Sequence, residues 1–154
     1  MRPLYKTGMP GLSTCFYILL NLQKKYMPKL YAHMIEVGFM PQMYASQWFL
    51  TCYAVYFEMD VVVRIWDIFL VEGRKTLFRV GLAILKMLEK RLMAADLGDM
   101  FILFKDFRLE VDVEVLLNTA LGEFTFSKNA LEKLEKEHAS DKANQEILAM
   151  TKMA

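Results

Sequence analysis

The side chain most able to do chemistry is a cation in an apolar helical stretch, Arg64-Ile-Trp-Asp67. An exposed arginine can stabilise the transferring phosphoryl group in a partner's nucleotide site, so Arg64 is a candidate arginine finger. On one helix, however, Asp60 lies four residues before Arg64 and Asp67 lies three residues after it. Because an unpaired buried charge is very costly, we expect Arg64, Trp66 and Asp67 to form an ion-paired part of the core. An Arg64→Ala substitution should then lower solubility and melting temperature.

Two cysteines and two histidines are the other side chains that could act as nucleophiles or metal ligands. Cys15 and Cys52 lie in apolar helical contexts, which favours buried free thiols. The spacing of the four residues matches no metal site, so we expect neither a metal nor another cofactor. His33 is a proton carrier by residue type only, and we expect it to be packed and hydrogen bonded in the core.

The segment Gly73-Arg-Lys-Thr76 has some of the residues of a phosphate-binding loop. The earlier glycine of such a loop would stand at position 68, where this sequence has Ile68. In addition, Arg74 interrupts the Gly-Lys-Thr order. The sequence therefore gives no support to a nucleotide site of this kind.

The chain has 154 residues, of which 55% are hydrophobic, and a net charge of +1. This is enough for the core of one domain or for a piece of a larger one. A nearly neutral chain has no global charge that attracts nucleic acid. Charged residues interrupt the apolar runs before about 18 residues, so no transmembrane segment is expected. Gln23-Lys24-Lys25 stands where a secretory signal would be cleaved, and we expect a cytoplasmic protein that can lie peripherally at endomembranes.

Apolar residues recur at helical spacing along almost the whole chain, with breaks at glycine and proline. The pattern predicts an all-α orthogonal bundle of about seven or eight helices with little or no sheet. The predicted helices span residues 13–26, 28–38, 41–57, 60–71, 74–93, 96–107 and 112–121. Residues 74–93 are nearly apolar on every side, which predicts a central helix. We divide the chain into a bundle at 1–126 and a charged helical tail at 127–154.

Several short motifs agree in order and spacing with one protein family over roughly residues 8 to 108. They are Gly8-Met-Pro-Gly-Leu12, Pro28-Lys-Leu30 with His33, Tyr44-Ala45, Trp48-Phe49-Leu50, Arg64-Ile-Trp-Asp67, Glu72-Gly73, Leu77-Phe78 and Ala83-Ile84-Leu85. Together they resemble the carboxy-terminal half, or second lobe, of the TBC domain, the Rab GTPase-activating module. The resemblance implies an all-helical fold of two lobes, with residues 1–126 as the second lobe.

The resemblance also implies a role in the regulation of GTPases and of vesicle traffic. Its expected partner is a GTP-loaded Rab-type small GTPase, to which the family supplies an arginine and a glutamine. The expected GTPase contacts are polar or aromatic residues at helix ends and loops, namely Gln42, Tyr44, Gln47, Glu72, Arg74 and Lys75. Trp48 and His33 are expected in the structural core.

The sequence departs from the family at both catalytic motifs. The family arginine lies in Ile-x-x-Asp-x-x-Arg and the glutamine in Tyr-x-Gln, both in the first lobe. No aspartate of this sequence has arginine three residues on, and no tyrosine has glutamine two residues on. We therefore expect the chain to be no enzyme and, alone, to leave GTP hydrolysis unaccelerated. The alternative is a helical scaffold or protein-interaction module without GTPase-activating activity.

A missing first lobe would leave apolar surface uncovered, and such surface is an association site. We expect the helices that begin at Ser13 and Pro41 to carry this face. The chain would then pair with the first lobe, or it would form a homo-oligomer through the same face.

Overall fold

The computed structural model describes residues 10–153, and the regular structure of this part of the chain is all helical. This confirms the all-α prediction, with nine helices in these residues where seven or eight were expected. The helices are α1 (Pro10–Tyr26), α2 (Pro28–Val37), α3 (Pro41–Tyr44), α4 (Ser46–Leu50), α5 (Met59–Glu72), α6 (Lys75–Met93), α7 (Leu97–Glu110), α8 (Val113–Glu123) and α9 (Lys128–Met153). The first two residues of the motif at Gly8 lie outside the described residues.

Local signals in the sequence set several helix ends. Pro28 and Pro41 stand in the first turn of α2 and α3, where the missing N–H of proline costs nothing. The Asp96 carboxylate accepts a 2.9 Å hydrogen bond from the Asp99 N–H and so caps α7. Asp112 caps α8 in the same way. These four positions are the ones that sequence patterns locate most directly.

The helix predicted at 41–57 is broken into α3, α4 and a non-helical segment at 51–57. Cys52 and Tyr53 have φ angles of +47° and +67°, a left-handed conformation that no right-handed helix continues. The buried Tyr53 hydroxyl donates a 2.6 Å hydrogen bond to the Leu77 carbonyl, which anchors the segment on α6. Because neither left-handed residue is a glycine, no residue type in the sequence marks this break.

The central helix is α6, as its sequence predicts. Every residue from 76 to 85 is buried, and α6 packs against α1, α2, α4, α5, α7 and α8. Trp48 of α4 is fully buried, as expected, and its ring lies against Gly81. A Cβ atom at position 81 would come within 3.2 Å of the Tyr53 hydroxyl and 3.4 Å of the Trp48 ring. Glycine therefore allows the close approach of these two rings to α6.

Among the residues that the structure describes, the buried cation is Arg79 of α6. Its side chain is 9% exposed, and its Nη1 lies 2.6 Å from Glu72 Oε2 at the end of α5. Its Nε donates a 2.6 Å hydrogen bond to the carbonyl of Phe124, just after α8. The guanidinium thus has both the carboxylate and the hydrogen-bond acceptor that a buried charge requires. These contacts join α5, α6 and the segment between α8 and α9.

The assignment of Arg64, Trp66 and Asp67 to the core is wrong. The Arg64 side chain is 46% exposed and pairs at 2.7 Å with the exposed Glu114 of α8, rather than with an aspartate of its own helix. Trp66 and Asp67 are exposed as well. The buried residues of α5 are Val61, Val62 and Ile65. The helix therefore lies at the edge of the bundle and turns Arg64 away from the core.

His33 and the tail make long-range contacts. His33 is partly buried, with Nε2 3.1 Å from the Ala95 carbonyl, in agreement with the expected hydrogen-bonded histidine. The first part of α9 packs on α1, where the His138 ring lies 4.8 Å from the Tyr17 ring and Nδ1 lies 3.1 Å from Thr14 Oγ1. From residue 139 onward α9 is exposed. The domain boundary between residues 126 and 127 stays a prediction.

The uncovered apolar face is not where it was expected. Within the described residues, α1 exposes no large hydrophobic side chain, and Met43 is the one large hydrophobic residue that α3 and α4 expose. The helix predicted from Ser13 therefore buries its apolar face, and in the segment predicted as a helix at 41–57 the exposed large hydrophobic side chains are Met43 and Val55. Between residue 10 and the tail, the most exposed apolar side chains are instead Leu70 and Val71 of α5.

Residues 10–153 offer neither a membrane-spanning helix nor a group of metal ligands. None of the helices in this part of the chain is both long enough and apolar enough to cross a membrane. The same residues bring no three histidine, cysteine, aspartate or glutamate side chains together in a way that could hold a metal ion.

Removal of the Arg79 guanidinium should destabilise the fold strongly. Arg79→Ala leaves Glu72 and the Phe124 carbonyl without their partner, and we expect the free energy of unfolding to fall by about 3 kcal/mol. The matched control is Arg64→Ala, which removes an exposed ion pair and should leave the unfolding midpoint nearly unchanged. Urea unfolding followed by circular dichroism measures both variants. Equal losses for the two would contradict this location of the buried charge.

The two free thiols should differ in reactivity. Cys15 is buried, which raises the pKa of its thiol to about 11, while the half-buried Cys52 has a pKa that burial also raises. At pH 8 a pKa of 11 leaves on the order of 100-fold less thiolate than an ordinary cysteine has. Iodoacetamide should therefore label Cys52 first, as mass spectrometry of the native protein can measure.

The same pKa makes folding sensitive to alkaline pH. The folded state favours the neutral Cys15 thiol, so this contribution to stability is intact below pH 9.0 and is lost as the pH rises through 11. In the iodoacetamide experiment described above, equal labelling rates for Cys15 and Cys52 would contradict the burial of Cys15.

Candidate functional site

The turn between α5 and α6 brings together three of the six expected contact residues. Glu72 ends α5, Gly73 turns the chain, and Arg74 and Lys75 lead into α6. Gly73 has φ +77° and ψ −155°, a conformation that essentially only glycine adopts. Its N–H donates a 2.8 Å hydrogen bond to the Phe69 carbonyl, which closes α5. The order of these four residues thus puts three charges on one tight turn.

Glu72 connects the turn to the buried charge. Its carboxylate lies 2.6 Å from the Arg79 guanidinium and 3.9 Å from the Lys75 amine. Because Arg79 is itself buried and bonded to the Phe124 carbonyl, the Glu72 carboxylate is fixed from the inside of the bundle. Lys75 shares that carboxylate with a closer partner, so its charge is only partly compensated.

Arg74 lies where α1, α6 and α9 meet. Its half-exposed guanidinium forms an ion pair with Glu135 of α9. The same guanidinium lowers the pKa of the Cys15 thiol of α1, although the larger effect of burial raises it. An ion pair this exposed contributes little to stability. Arg74 can therefore exchange Glu135 for another carboxylate at little cost.

A groove of about 410 Å³ separates the turn from α9. Its lining consists of Leu70, Val71, Glu72, Gly73, Arg74, Lys75, Lys128, Leu131, Glu132 and Glu135. Three of these residues are cations, three are carboxylates and three have large apolar side chains. Such a mixed surface suits the binding of a protein by ion pairs and apolar contacts together.

The other expected contacts lie on a different part of the bundle. Gln42 and Gln47 are exposed, and Gln47 lines a second cavity of about 330 Å³ together with Lys105 of α7. Tyr44 also lines that cavity but is buried, with its ring stacked on Phe104 at a centroid distance of 4.8 Å. Burial raises the pKa of the Tyr44 hydroxyl. Its assignment as an exposed contact is wrong, because the ring is a core residue.

The structure therefore places the six expected contact residues on separate parts of the bundle instead of in one site. Glu72, Arg74 and Lys75 share the groove beside α9, whereas Gln47 lines the cavity beside α7. Sequence reasoning missed the residues that α9 adds to the groove, because a contact between positions about sixty residues apart leaves no local pattern. The dense charges of the tail were the available signal, and three of them line the groove.

Comparisons with known proteins agree with this fold and with the series of motifs. Residues 1–93 match the family described as Rab-GTPase-TBC domain. The chain is 34% identical, over 94% of its length, to the Ecotropic viral integration site 5 protein of Mus musculus, of which it covers 18%. It is 33% identical, over 95% of its length, to the Rab GTPase-activating protein eat-17 of Caenorhabditis elegans, of which it covers 17%.

A solved structure shares the helical arrangement. The crystal structure of the Chlamydomonas flagellar RabGAP TBC domain superposes on this chain with a TM-score of 0.63 and 32% sequence identity. The match covers 66% of this chain and 36% of that chain. It confirms the TBC fold that the motifs predicted.

These findings correct the expectation that the chain is no enzyme. The relative eat-17 is named a GTPase-activating protein, and its similarity extends over nearly the whole chain. The chain spans less than a fifth of the length of the two curated relatives described above. The match to residues 1–93, the two relatives and the shared fold together show that the chain belongs to the Rab-GTPase-TBC domain family.

Proposed function

We propose that this chain is the carboxy-terminal part of a Rab GTPase-activating protein and that it binds a GTP-loaded Rab-type GTPase. The observation that carries the proposal is the charged turn from Glu72 to Lys75, which lies within the family match and presents two cations near the surface. The name of the relative, Rab GTPase-activating protein eat-17, supports an action on Rab GTPases. A role in vesicle traffic and a cytoplasmic location, peripheral to endomembranes, belong to the same proposal.

The turn suits binding because it is held rigid before a partner arrives. Buried Arg79 fixes Glu72, and Gly73, with its positive φ, limits the path of the chain between α5 and α6. A preorganised surface loses less conformational entropy on association. Arg74 can donate two parallel hydrogen bonds to a carboxylate of the GTPase, and Lys75 adds a second cation beside it. Charges at the rim of an interface chiefly raise the rate of association and set the orientation.

Hydrolysis needs two further side chains. In the family that the motifs resemble, an arginine stabilises charge on the transferring phosphoryl group and a glutamine positions the attacking water. The motifs that carry them do not occur in this sequence, so we infer that both side chains come from residues outside these 154. The contribution of this chain is to bind the GTPase and to orient it against those two residues.

A helical scaffold without activating capacity is the second candidate, and the exposed apolar side chains of α5 favour it. The two candidates differ in the sequence of the parent protein. Finding Ile-x-x-Asp-x-x-Arg and Tyr-x-Gln in that protein supports the activator, and their absence supports the scaffold.

Removal of the two turn cations should weaken activation through binding. In the parent protein, Arg74→Ala with Lys75→Ala should lower kcat/KM for GTP hydrolysis by about tenfold, mainly through a higher KM, because these charges act in association. Single-turnover hydrolysis by a panel of GTP-loaded Rab proteins, at increasing concentrations of the parent protein, separates KM from kcat.

A matched control removes two cations that lie elsewhere. Lys90→Ala with Lys142→Ala deletes exposed lysines of α6 and α9 that do not line the groove. This variant should retain the wild-type kcat/KM. A wild-type kcat/KM in the turn variant, or a decrease confined to kcat, would contradict a binding role for Arg74 and Lys75.

A further inference from the structure

Helix α5 carries an exposed apolar stripe next to the face that it buries against the core. Its members are Met59, Val63, Trp66 and Leu70, which are between 42% and 81% exposed. Their spacing of four, three and four residues places them on one face of the helix. We call these four residues the α5 stripe. Packing inside the bundle does not explain them, because α5 buries a different face.

The surface beside the stripe is shaped to receive a side chain. A shallow cavity of about 330 Å³ lies next to Trp66, and Cys52, Phe69 and Leu70 are among its lining residues. The Trp66 indole N–H donates a 2.8 Å hydrogen bond to the Cys52 carbonyl, which fixes the orientation of the ring. The α5 stripe therefore presents the Trp66 ring in a fixed orientation, with a shallow cavity next to it.

One edge of the stripe is acidic. Asp60 and Asp67 are both exposed and lie seven residues apart, two helical turns along the same edge. Within residues 10–153 neither carboxylate forms an ion pair. Arg64 lies between them in the sequence, but Glu114 already holds its guanidinium at 2.7 Å. Arg64 also interacts electrostatically with Asp67. Together with Glu114, the edge therefore presents three carboxylates and one guanidinium, which leaves it with a net negative charge.

We propose that the α5 stripe docks an amphipathic helix of another protein, one whose apolar stripe is flanked by two basic side chains seven residues apart. An apolar face laid against an apolar ridge is a recurring mode of helix recognition. The two basic side chains would meet Asp60 and Asp67 and so fix the register of the partner. A second copy of α5 would bring a second edge of net negative charge instead of two basic side chains, so charge disfavours self-pairing. This proposal does not depend on the proposed GTPase-activating function.

Two synthetic helical peptides test the proposal on the intact 154-residue chain. Both peptides carry the same leucine stripe, and they differ only at two flanking positions seven residues apart, which are lysine in one and glutamate in the other. The chain has two tryptophans, and Trp48 is fully buried. Quenching of tryptophan fluorescence by acrylamide therefore reports on Trp66. The lysine peptide should shield Trp66 from acrylamide and bind at least about tenfold more tightly than the glutamate peptide, with a difference that shrinks at high salt.

Substitutions on the stripe make the test specific. Asp60→Lys with Asp67→Lys should reverse the preference between the two peptides, and Leu70→Asp should abolish the binding of both. The matched control is Leu109→Asp on α7, where Leu109 is 68% exposed and lies outside the stripe. This control should bind the lysine peptide like the wild type. Circular dichroism establishes that each variant is folded, as expected for exposed positions.

Several outcomes would overturn the proposal. Equal binding of the two peptides, or no binding of either, would remove the assigned role of the aspartates. Self-association that shields Trp66 and is lost in Leu70→Asp would make a second copy the occupant. A parent protein in which Trp66 is already shielded from acrylamide would show that its own residues cover the stripe.

Discussion

The ion pair between Arg79 and Glu72 is the contact on which the arrangement of the other helices depends. A guanidinium inside a helical bundle must have partners, and Arg79 obtains one from the end of α5 and one from the Phe124 carbonyl after α8. These partners lie seven residues before Arg79 and 45 residues after it. Satisfying one buried charge therefore fixes the end of α5 and the path into α9 relative to the central helix.

That constraint also determines what the surface presents. With Glu72 bonded to buried Arg79 and Gly73 at a positive φ, the chain continues through Arg74 and Lys75 at the outside of the turn. The same path brings α9 back across the turn, so that Glu135 meets Arg74 and the groove forms between them. The ion pair between Arg79 and Glu72 in the core is thus connected through the turn to the candidate binding groove beside Arg74. A change at Arg79 would move the surface as well as lower stability.

The sequence predicted the bundle, the central position of α6 and the capping aspartates, because each depends on residues close together in the chain. It assigned the buried charge to the wrong arginine. Arg64 and Arg79 both stand in apolar helical stretches, and local spacing cannot tell an edge helix from a central one. The break at Cys52 and Tyr53 and the burial of Tyr44 depend on contacts with α6 and α7, so they left no local signal either. For the candidate site, the consecutive residues 72–75 predicted the charged turn. No local pattern predicted the residues that α9 adds to the groove.

The position of α5 at the edge explains why its sequence is apolar on two faces. One face is buried through Val61, Val62 and Ile65, and the exposed face next to it is the α5 stripe. Leu70 lines both the cavity beside Trp66 and the groove beside the charged turn, so the stripe and the turn are neighbouring surfaces. A helix docked along the stripe would end at the groove, where Arg74 and Lys75 lie. Its charges would then act on the same cations that we assign to GTPase binding, which gives the two surfaces a physical means of influencing each other.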